Sequence, residues 1–93
     1  MPSVARVGDP FTCGDFVAQG STNVFINSLP CAYDTAETTG HECFNANHVV
    51  AKHASVFVNG KPIAIVGDSN EPHRCDGEPH TGAISQGSPD VIA

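Results

Sequence analysis

Apolar and polar residues alternate in two short bursts that share a layout. Ser55-Val56-Phe57-Val58 is followed by Asn59-Gly60 and then Lys61-Pro62-Ile63-Ala64-Ile65-Val66-Gly67-Asp68. β-Branched and aromatic residues flanking Asn-Gly predict a hairpin with a tight turn, because that dipeptide accepts the positive φ angles the turn needs. Asn23-Val24-Phe25-Ile26, Asn27-Ser28 and Leu29-Pro30-Cys31-Ala32 repeat the layout, with the Gly lost and Ala32-Tyr33-Asp34-Thr35 in place of the Val-Gly-Asp ending. Pro30 and Pro62 hold the same place after the turn, and a residue without an N–H there predicts a strand edge.

The two ends of the sequence supply a further copy in halves. Gly87-Ser88-Pro89-Asp90-Val91-Ile92 begins the unit, and Ala5-Arg6-Val7-Gly8-Asp9 matches its back half, Ala64-Ile65-Val66-Gly67-Asp68. Repetition on this scale means that each unit is a β-element unable to bury its apolar side alone, and that about three units do so by facing a common axis. The expected architecture is all-β, a small conical fold of β-hairpins with pseudo-threefold symmetry and long loops. Residues 1–93 form one domain of this kind, with no effector extension expected.

Composition supports strands and turns. The chain has 93 residues with nine Gly, seven Pro, five Phe, one Tyr and no Trp, so few or no helices are expected. A core of this size supplies little net stability, which predicts a disulfide or a metal as a staple. The net charge of −6 lacks the basic stripe that attracts phosphate backbones, so nucleic acid is not an expected partner. No apolar run is long enough to cross a bilayer as a helix, and Met-Pro-Ser-Val-Ala-Arg lacks the regions of a signal peptide. Synthesis in the cytoplasm follows, with Cys13, Cys31, Cys43 and Cys75 as thiols free to bind metal and any export through a carrier.

Candidate chemistry sits in three polar stretches between the hairpins, residues 10–19, 35–52 and 69–86. They hold Cys13; His41, Cys43 and His48; and His73, Cys75 and His80. If the stretches project from one end of the hairpins, their side chains meet on the axis, and four Cys or His donors there suffice for a tetrahedral zinc. Cys13, His41, Cys75 and His80 are the expected ligands, since Gly77 and Pro79 let the chain turn between Cys75 and His80. Cys43 and His73 compete, each two residues from a favoured ligand. Cys31, aligned with Ile63, reads as a small core residue, and His48 and His53 read as solvated.

These residues resemble those of PAAR-repeat proteins, the tips of contractile injection machines such as type VI secretion systems and contractile phage tails. Ala5 to Asp9, Gly20 to Asn27, Val56 to Pro62, Val66 to Asp68 and Gly87 to Val91 carry the resemblance, which covers nearly the whole chain. It implies a cone whose base caps a trimeric β-helical spike, one tip per trimer, and whose apex is pinned by zinc through three His and one Cys. Cys13, His41, Cys75 and His80 would instead give two of each, and iron accepts the same ligands. The motif naming the family reads Pro62-Ile63-Ala64-Ile65 and Pro30-Cys31-Ala32-Tyr33 here, with the Arg kept only at Arg6.

The implied function is structural: a rigid point that breaches a target membrane, not an enzyme. It would be made without a signal peptide and sit at the tip of a secreted spike or virion tail, with any effector loaded non-covalently. Two rivals remain. A small metal-dependent hydrolase would use Glu42 or Glu78 to activate water on a metal with three protein ligands. A zinc-ribbon-like binding module is opposed by the acidic charge and the absence of Cys-x-x-Cys pairs.

Overall fold

A computed structural model describes residues 2–41, 44–52, 56–74 and 79–93. Among the described residues, eight short strands form four antiparallel pairs and there is no helix. Strands β1 (Phe25–Ile26) and β2 (Leu29–Pro30) form the first hairpin, and β4 (Phe57–Val58) and β5 (Lys61–Pro62) the second. Asn59 and Gly60 take φ of 51° and 82°, as the turn requires. Asn27 and Ser28 take 55° and 67°, so the first hairpin keeps the same turn without its glycine.

The third hairpin is assembled from the two ends of the chain. Within the two continuous hairpins the Cys31 amide donates to the Val24 carbonyl at 2.9 Å and the Ile63 amide to Val56 at 3.0 Å; the Val4 amide donates to Val91 at 2.9 Å in the same position. Ser3 bridges Ile92 as Pro30 pairs with Phe25 and Pro62 with Phe57. The halved copy expected from the sequence is therefore a real third unit.

Inward of the hairpins the backbone closes a ring. The Ala5 amide donates to Ala64 at 2.9 Å, the Ala64 amide to Ala32 at 3.1 Å, and the Ala32 amide back to Ala5 at 3.0 Å. All three alanines are fully buried where the three strands approach one axis. A further layer repeats the threefold pattern: the amides of Gly8, Thr35 and Gly67 donate to Val17, Val49 and Ile84. Gly8, Thr35 and Gly67 all have positive φ, at 93°, 72° and 101°, so the turn after each ring strand has one shape whether or not it carries glycine. The Asp that follows closes two of these turns: Asp9 Oδ2 accepts from the Arg6 amide at 2.7 Å and Asp68 Oδ2 from the Ile65 amide at 2.9 Å.

Two apolar clusters fill the axis. Val4, Cys31, Val58, Ile63 and Ile65 form one on the hairpin side, and Ala5, Ala32, Ala64, Phe11, Val17, Ala36, Val49, Ala51 and Ile84 the other on the loop side. The molecule measures 37 × 24 × 22 Å. Threefold symmetry makes the two transverse dimensions equal, and 24 and 22 Å approach that condition.

Candidate metal centre

Past the ring of Val17, Val49 and Ile84, the three polar loops pair with one another. Val17 bridges Thr38, Phe11 bridges Ile84, and β3 (Val49–Val50) pairs with β6 (Ser69–Asn70). This second closed cycle brings all three loops to one place, and the expected meeting of Cys and His occurs there. Donor atoms of Cys13, His41, His73 and His80 lie within 4.8 Å of one another.

Each side chain is placed by its own loop. His41 bridges Phe44 in the second loop. His73 in β7 (His73–Arg74) is directly opposite His80 in β8 (Pro79–His80), so one hairpin presents two imidazoles side by side. Cys13 sits in the turn between Pro10 and Phe16, which bridge each other, against Gly82. A Cβ on Gly82 would stand 2.8 Å from Cys13 Sγ, so the absence of a side chain there lets the first and third loops meet.

Hydrogen bonds fix the tautomers. His41 Nδ1–H donates to Asp15 Oδ1 at 2.8 Å, and His73 Nδ1–H donates to the Asn45 carbonyl at 2.9 Å. With Nδ1 protonated in both rings, each Nε2 carries a lone pair available to an ion. His41 Nε2 is buried and has no hydrogen-bond partner, a costly arrangement in the absence of a ligand to accept its lone pair. His73 Nε2 and His80 Nε2 face each other at 2.9 Å. Two imidazoles on one tetrahedral zinc hold their nitrogens roughly 3.3 Å apart, so this spacing and the donor set fit such an ion with small rotations. Phe44 packs on all three rings, 3.6 Å from the His80 centroid and 4.8 to 4.9 Å from those of His73 and His41. The apolar ring covers a flank of the donor group.

Asp15 is fully buried. Burial pushes its carboxyl toward the neutral form, but hydrogen bonds from His41, Asn70 and Thr38, with the nearby His73, outweigh it and hold the group below its ordinary value. An ionised Asp15 beneath His41 is the carboxylate–imidazole pairing found behind many metal ligands.

Three of the four expected ligands, Cys13, His41 and His80, are thus brought together, and His73 supplies the fourth donor among the described residues. Cys75, expected in that role, lies outside the described residues, as do Cys43, His53, Glu42 and Glu78. His48 is exposed and pairs with Glu71 at 2.9 Å, away from the cluster, as expected. Cys31 is buried in the hairpin-side core, as expected, and burial pushes its thiol up to about 11. Asp15 and Asn70 were not foreseen. Two residues after a candidate ligand, Asp15 carried a faint signal by position; Asn70 carried none.

The arrangement is a closed Cys-His₃ group able to hold a metal ion by protein donors alone. No protein-family model matches the chain, and no curated protein sequence does.

Proposed function

We propose that this chain is the tip of a contractile injection machine, seated by its hairpin face on a trimeric β-helical spike and sharpened at its loop end by zinc. The observation that carries this reading is the equivalence of Phe25, Phe57 and Ile92. They occupy one position in the three hairpins, and each is 54 or 55% exposed. Apolar side chains exposed in threefold register suit a partner that is itself threefold, because each contact is then made three times over. Leu29 and Val56 are further exposed apolar residues of the hairpins.

The open edges of the hairpin strands supply backbone groups that can extend the sheets of a β-helix by strand addition. The hydrogen-bonded layers run from these hairpins through the alanine ring to the loops, which places the Cys-His₃ group at the far end of the series. There the loops have little apolar surface to bury, and an ion joining them replaces packing with coordination. Four protein donors leave no open position for substrate, which favours stiffness over hydrolysis.

The test is to mix the protein with a trimeric β-helical spike and measure the mass of the complex. One tip per three spike chains is expected; a three-to-three complex, or none, would overturn the reading.

A further inference from the structure

Asn70 is 2% exposed and its side chain is fully engaged. Its Nδ2 donates to Asp15 Oδ2 at 2.8 Å and to Cys13 Sγ at 3.5 Å. Its Oδ1 accepts from the Gly82 amide at 2.9 Å and from Thr81 Oγ1 at 2.8 Å. Asp15, held this way, orients His41. A single amide therefore touches one candidate ligand directly, sets a second through a carboxylate, and fastens the segment leading from His80.

We propose that Asn70 is the positioning residue of the metal centre: it fixes the Cys13 sulfur and the Asp15–His41 pair in one geometry before an ion arrives, and its N–H tunes the sulfur as a donor. This rests on the Cys-His₃ group being a metal site. An N–H directed at a thiolate draws charge from sulfur and weakens its donation to the ion, whereas a carboxylate behind a histidine strengthens that ligand. One side chain adjusts both. An amide suits the position because it offers donor and acceptor at once; Asp lacks the donor and Leu lacks both.

Cobalt(II) is the probe, since a bound thiolate gives a sulfur-to-cobalt charge-transfer band. In the full-length protein that band should appear and vanish in Cys13→Ser. If the unaltered protein takes up no cobalt, the metal reading falls and this inference with it; if the band survives undiminished in Cys13→Ser, Cys13 is not a ligand and this inference alone falls. Where the band behaves as expected, Asn70→Asp, which keeps the acceptor for Gly82 and Thr81, and Asn70→Leu should each move it to lower energy. Affinity, measured by competition with a chelator, should fall about 10- to 100-fold. Asp15→Asn should lower affinity and leave the band in place, because the N–H to sulfur survives. An unmoved band in the Asn70 variants overturns the proposal even if affinity drops, since a merely structural residue would do that. One measurement needs no variant: in cadmium-loaded protein, a scalar coupling from the metal nucleus through Sγ to an Asn70 side-chain proton is expected, and its absence overturns the proposal.

Discussion

The amide of Ala5 donates to the carbonyl of Ala64 at 2.9 Å, joining the start of the chain to its second hairpin unit and closing the ring that Ala32 completes. All three alanines are fully buried where the strands converge, which leaves little room for added atoms. Ala64→Leu should destabilise the protein by roughly 1–3 kcal/mol through overpacking, measured by urea denaturation. An equal cost for Val56→Leu, at a 40% exposed position, would show that convergence at the axis is not the cause.

Thr35 holds the position of Gly8 and Gly67 in the third turn, with φ of 72°. A non-glycine residue in this region costs roughly 1–2 kcal/mol, against about 0.5–1 kcal/mol for the backbone freedom of glycine. Thr35→Gly should therefore raise stability by roughly 0.5–1 kcal/mol, less the exposed hydrogen bond from Lys61 Nζ. The reverse change, Gly67→Thr, should lower it.

Single replacement of Cys13, His41, His73 or His80 by Ala should abolish stoichiometric metal in the purified protein, read by elemental analysis. His48→Ala should retain it, because His48 pairs with Glu71 on the surface. Cys75→Ala decides between two ligand sets: metal retained there and lost in His73→Ala supports one Cys with three His, and the opposite pattern restores two of each.

Phe25→Ser, Phe57→Ser and Ile92→Ser, made together, should abolish binding to a trimeric spike by sedimentation while leaving the thermal midpoint within a few degrees. These side chains are half exposed, so their loss costs the folded monomer little. A large fall in the midpoint would mean that they serve the monomer.

Burial raises the Cys31 thiol from 9.0 to about 11, and a group whose folded value is raised stabilises the fold below its unfolded value. That contribution is present up to about pH 9 and lost as pH rises toward 11. Cys31→Val should flatten this alkaline decline in urea midpoints, and an identical decline in both proteins would exclude Cys31 as its source.

Much of the fold was legible because strand and turn chemistry is local. Asn59-Gly60 announced its hairpin, and the matching of residues 5–9 to residues 64–68 revealed a unit divided between the chain ends. Cys31 was readable as core from its alignment with Ile63, and both lie in one apolar cluster. The site was legible by type and by loop, for Cys13, His41 and His80 each came from the expected stretch. His73 was weighed as a competitor and not chosen, since the pairing of His73 with His80 across β7 and β8 depends on strand register, which residue types in a polar loop do not specify.

Repetition and turn residues, properties of neighbours along the chain, determined the three hairpins and their common axis. Only the tertiary structure decided which imidazoles face inward, that Asn70 reaches both Cys13 and Asp15, and that Phe25, Phe57 and Ile92 emerge together. The reason is physical: hydrogen bonds and ligand geometry depend on distances of a few ångströms between loops far apart in sequence, and those distances exist only once the backbone ring has closed.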